Sequence, residues 1–149
     1  MTDLPRHIPT QGGEVVLAWQ RDVFRYENFK FAAARRTGNI LYVSGVIAGP
    51  EKGESRDAEA FKQQLRRAFG ELKATLAAAG ASFAQVAMIN TFHVWASDNF
   101  QGDKSAQLSA FIAVKDEFMP PPHPAWTAVG TTGLAIDTGV VEIQLIAHL

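Results

Sequence analysis

Cysteine is absent from the 149 residues of this chain. That excludes disulfides, thiolate-held metals and cysteine nucleophiles together, and it fits a reducing, cytoplasmic setting. Long apolar runs are also missing. None reaches the roughly 18 residues that a membrane span requires. The opening Met1-Thr2-Asp3-Leu4-Pro5-Arg6-His7 lacks the basic-then-apolar order of a signal peptide. Neither sign of charge is in surplus, since 14 Lys and Arg face 15 Asp and Glu. Nucleic-acid binders usually carry a clustered basic excess, so neither nucleic acid nor membrane is expected as a partner. No phosphate loop, dinucleotide fingerprint or Gly-x-Ser-x-Gly elbow occurs. The four histidines, His7, His93, His123 and His148, are not spaced as metal ligands. No metal and no cofactor is expected.

What is present is enough for one domain spanning 1–149, with residues 1–13 read as a loose arm. A chain of this length buries roughly two thirds of its unfolded surface and needs no staples. Residues 14–19 and 29–35 read as strands, and 21–28 carries no clear pattern. Thr37-Gly38-Asn39 is a tight turn into the β-branched and aromatic strand 40–47. A helix over about 57–79 follows, because Phe61, Leu65, Ala68, Phe69, Leu72 and Leu76 recur three or four apart. Gly80 stops it, and Ser82 with Gln85 forms a capping-box pattern before a strand over 86–95. A second helix covers 101–118, with Leu108, Phe111, Ile112 and Phe118 expected inward, and prolines 120–122 end it. Strands at 126–130 and 140–147 close the chain. The economical packing is α+β, a single sheet with two helices on one face. The other face is too apolar for water and should meet further copies of the chain.

Against this background one carboxylate stands out. Glu142 sits in the apolar run Val140-Val141-Glu142-Ile143-Gln144-Leu145-Ile146-Ala147. A carboxylate there must be paired, hydrated or neutralised. Alternation puts Glu142 and Gln144 on one side of the strand and Val141, Ile143 and Leu145 on the other. Two readings stand open: a site group facing a subunit interface, or a structural carboxylate paired with Arg or Lys. His93 shares a face with Ile89 and Thr91 and is more readily a hydrogen-bonded core or interface histidine than a catalytic one.

Three stretches together resemble the RidA/YjgF superfamily over about 31–149: Gly38-Asn39-Ile40-Leu41-Tyr42-Val43-Ser44-Gly45, Leu72 to Ala81, and Val141-Glu142-Ile143 with Ile146-Ala147. The resemblance implies a chorismate-mutase-like fold with a single mixed sheet, a homotrimer, and small-molecule clefts between subunits. It also implies hydrolysis of enamines and imines, with Glu142 matching the glutamate that positions water. Ser44, Gly45, Phe31, Thr127 and Lys104 fall at or near binding positions. Where the family holds substrate carboxylate with an arginine fork, this chain has Trp126, as in a YjgH-like branch. Tryptophan cannot replace a guanidinium, so the expected ligand is planar or neutral, with Trp126 and Phe31 as walls, unless Arg35, Arg36 or Lys104 supplies charge. Trp126 as a packed aromatic is the competing reading. The alternatives to a deaminase are a non-enzymatic trimeric binding module and, disfavoured by the charge balance, a ribonuclease.

Overall fold

A computed structural model describes residues 3–149. Seven strands form one sheet: β1 (Arg6–Thr10), β2 (Gly13–Leu17), β3 (Ala34–Thr37), β4 (Ile40–Ala48), β5 (Val86–His93), β6 (Ala125–Gly130) and β7 (Val141–His148). Their order is β1-β2-β3-β4-β7-β5-β6. Only β5 and β6 pair in parallel, joined across a helix, so the sheet is mixed. Helices α1 (Gln20–Phe29), α2 (Ala58–Ala78) and α3 (Lys104–Phe118) complete the chain. No helix among the described residues is long and apolar enough to cross a membrane.

The apolar stripe read for α2 is the core. Phe61, Leu65, Ala68, Phe69, Leu72 and Leu76 are all buried against Leu41, Val43, Ile89, Ile143 and Leu145. Asp57 caps the start of α2 by accepting the Ala60 N–H at 2.8 Å. At its end Gly80 takes φ 76°, and the N–H groups of Gly80 and Ala81 donate to Ala77 and Leu76 at 3.0 and 2.8 Å. That is a Schellman closure, which a residue with a Cβ adopts only under strain. The Ser82–Gln85 box is present, with the Ser82 N–H donating to Gln85 Oε1 at 2.9 Å.

Several local expectations are corrected. The arm contains β1, which pairs with β2. Residues 20–29 are helical: buried Asp22 accepts the N–H groups of Ala18 and Trp19, and Lys30 ends the helix in the left-handed region. The strand expected over 29–35 begins only at Ala34. On α3, Ile112 is 46% exposed; the inward stripe is Gln107, Ala110, Phe111, Val114 and Lys115. Thus α2 and α3 cover one face of the sheet as expected. Helix α1 adds a second small cluster, Val23 on Val15 and Leu17.

Candidate functional site

On β7 the alternation holds to the end of the strand: Val141, Ile143, Leu145 and Ala147 are fully buried, while Glu142, Gln144 and Ile146 are half-buried on the other face. Opposite them, β5 places Phe92 against Glu142, Asn90 against Gln144 and Met88 against Ile146. On the far side β4 pairs Ile47 with Glu142, then shifts register between Val43 and Val46. Two residues, Ser44 and Gly45, therefore oppose the single residue Gln144, which is a β-bulge. Ser44 is tied down by two bonds, its N–H to Ala33 O at 2.9 Å and its hydroxyl to Ala32 O at 2.6 Å.

The bulge brings Gly45 under the Glu142 carboxylate. A Cβ at Gly45 would overlap Oε1 and lie 2.7 Å from Cδ, so any larger residue there would push the Glu142 carboxylate aside. A cavity of about 340 Å³ opens there, lined by Gly45, Phe92, Thr131, Gly133, Leu134, Ala135, Glu142 and Gln144. None of those residues is a cation. Burial, with no compensating charge, pushes the Glu142 carboxyl above its ordinary value. The structure thus gives Glu142 no Arg or Lys partner among the described residues.

The remaining expected site residues lie elsewhere within one chain. Trp126 pairs in register with Ile89 and turns to the helix side, stacked on Phe111 at 5.5 Å beneath the Lys115 ammonium. Its Nε1–H donates to Thr91 Oγ1 at 2.9 Å. Thr91 and His93 Nε2 are 2.7 Å apart, His93 Nδ1 and Gln107 Oε1 are 3.0 Å apart, and Gln107 Nε2 donates to Val94 O at 3.0 Å. One assignment satisfies every atom. Thr91 accepts from Trp126 and donates to His93 Nε2, and His93 is neutral with its proton on Nδ1, donating to Gln107. Burial lowers the His93 pKa accordingly. His93 is a core histidine, stacked on Trp95 at 4.2 Å.

Within one chain Trp126 and Glu142 therefore occupy opposite faces of the sheet. Phe31 is 41% exposed on the loop that Ser44 anchors, and Thr127 is exposed on the edge strand β6. Lys104 lies over the Trp95 ring at 5.1 Å. Arg36 turns to Glu14 at 3.7 Å, and Arg35 stands opposite Tyr42 on β3. None of these lines the cavity. Phe92 and the 131–135 loop, which do, were not singled out from sequence. Strand alternation already places Phe92 on the Glu142 side, whereas the loop carries no periodic signal and is brought in by the Thr131 N–H bond to His93 O at 2.8 Å.

Comparison with known proteins agrees with this architecture. The family model described as endoribonuclease L-PSP matches residues 27–149. RutC family protein YjgH from Escherichia coli K12 is 40% identical over 126 residues, covering 83% of this chain and 86% of that protein. The solved structure of YjgH superposes with a TM-score of 0.64 over 83% of this chain and 87% of that one. RidA from an Antarctic Psychrobacter is 32% identical, with a TM-score of 0.63 over 80% and 88% of the two chains. A member of the YjgF/YER057c/UK114 family from Mycobacterium tuberculosis, 21% identical, shares the fold with a TM-score of 0.66 over 85% and 92%. The chain belongs to the RidA/YjgF family, the group that the endoribonuclease L-PSP model describes.

Proposed function

We propose that the chain is a cytoplasmic homotrimer joined through its exposed sheet face, and that the cavity at Glu142 hydrolyses the C=N bond of an uncharged imine, formed directly or as the tautomer of an enamine. The observation that carries this reading is the Glu142 carboxylate itself, held against Gly45, desolvated, unpaired by any cation and open to a cavity of about 340 Å³. A carboxylate whose pKa is raised by burial is a stronger base than one in water. In the proposed reaction Glu142 takes a proton from water as the water oxygen bonds to the imine carbon. Glu142 returns that proton to the imine nitrogen, giving the carbinolamine, and then passes the hydroxyl proton to nitrogen as the C–N bond breaks, so an imine and water give a carbonyl compound and ammonia. Within one chain the lining holds no cation to offset the repulsion between Glu142 and a substrate carboxylate, which favours a substrate neutral at that end. The missing basic lining also argues against RNA.

Trimer formation is supported by the apolar groups left outside on the same face, Tyr42 at 49% and Phe92 at 36% exposure, with Ile47 and Ile146 half-covered. Light scattering is expected to give three times the chain mass, and a stable monomer at micromolar concentration would overturn the assembly. For the reaction, ammonia release from freshly generated 2-iminopropionamide is expected to exceed the spontaneous rate and to lose that excess in Glu142→Gln. Saturable binding with no excess rate would instead make the protein a non-enzymatic binding module.

A further inference from the structure

Gln144 stands two residues from Glu142 on the same side of β7 and lines the same cavity. Its neighbour across the strand pair is Asn90, whose Nδ2 donates to Gln144 Oε1 at 3.3 Å. That bond uses the acceptor of Gln144 and leaves its amide N–H donors for the cavity. The opposite orientation would present an acceptor rather than donors on the face that already carries the Glu142 carboxylate. The cavity therefore offers two complementary polar groups on one floor: an acceptor and base at Glu142 and a neutral donor at Gln144. Phe92, opposite Glu142 on β5, and Leu134 give it apolar walls.

We infer that Gln144, oriented by Asn90, reads an uncharged carbonyl oxygen beside the reacting C=N, so that the substrate class is the α-imino or enamino amide rather than the α-imino acid. This rests on the hydrolytic reading above and adds the specificity determinant to it. A neutral amide donor suits a neutral carbonyl, which accepts one hydrogen bond and brings no charge to Glu142. A carboxylate at the same place would meet one neutral donor and one like charge. In the balanced reaction an α-imino amide and water give an α-keto amide and ammonia, with the amide bond untouched. Asn90 does not line the cavity, so it is a positioning residue that acts through Gln144.

Calorimetric titration separates this inference from the hydrolytic reading, because it uses unreactive products as probes. Pyruvamide is expected to bind the wild-type protein at least tenfold more tightly than pyruvate. Gln144→Leu should weaken pyruvamide about three- to tenfold, and Gln144→Arg should reverse the order in favour of pyruvate. Circular dichroism and Gln144→Met, which keeps the side-chain volume, control for folding. In kinetics with 2-iminopropionamide, Asn90→Ala is expected to raise KM about threefold with kcat nearly unchanged, a split that loss of fold would not produce. Equal binding of both probes, or pyruvamide affinity unaltered in Gln144→Leu, would overturn the inference even if Glu142-dependent turnover were found. Absent turnover with intact pyruvamide preference would overturn the hydrolytic reading and leave the specificity assignment standing.

Discussion

The two faces of β5 and β7 contrast within a few ångströms of backbone. Towards the helices, Thr91, His93, Gln107 and Trp126 form a polar chain in which donors and acceptors match one to one, sealed among Phe111, Ile143 and Leu145. Towards the open side, Asn90, Phe92, Glu142 and Gln144 are incompletely covered, and the charged member has no cation partner among the described residues. The same strands, read at odd and even positions, thus carry a finished structure and an unfinished one. A polar group whose bonds are complete stabilises the fold. One held desolvated without a partner costs stability.

The contrast can be broken from either side. Phe69→Ala, in the centre of the helix face, is expected to cost about 3–5 kcal/mol in urea unfolding through lost burial and a residual cavity. Thr91→Val keeps the shape but strands the Trp126 N–H and the acceptor nitrogen of His93, at about 2–3 kcal/mol. Glu142→Gln should do the reverse, raising stability at pH 7 by on the order of 1 kcal/mol. The folded pKa of Glu142 is raised above 4.5, so ionisation is what the folded state resists. The gain should therefore shrink as pH falls through the raised folded value, where the wild-type carboxyl protonates, and be gone by pH 4.5. His93 has the opposite sign. Its folded pKa is depressed below 6.5, so stability is lost as pH falls from 6.5, where the unfolded histidine takes up a proton, down to the folded value.

The helix face was legible because packing has a period. The α2 stripe and the alternation of β7 follow directly from burial of apolar residues at fixed spacing. Glu142 was legible for the same reason, as the exception inside that pattern. Helix α1 was not, since its residues are charged and aromatic by turns and only Val23, with half-buried Tyr26, packs it on the sheet. For Trp126 the sequence left two readings open, a packed aromatic or a ligand wall, because alignment to a binding position does not fix where an indole points. Its indole found Thr91 and Phe111 on the buried side, a choice set by strand register and visible only in three dimensions. The bulge at Ser44-Gly45, which shapes the site, depends on the pairing of β4 with β7 and leaves no mark in either strand alone.

The most direct test sets one residue of each face against the other, by measuring ammonia release from 2-iminopropionamide in Trp126→Phe and Glu142→Gln. Trp126→Phe removes the indole N–H and should lower thermal stability while leaving turnover per folded molecule within about twofold of wild type. Glu142→Gln should keep the fold and lose about 100-fold or more in rate. Loss of turnover in Trp126→Phe with retention in Glu142→Gln would contradict the assignment of chemistry to the open face.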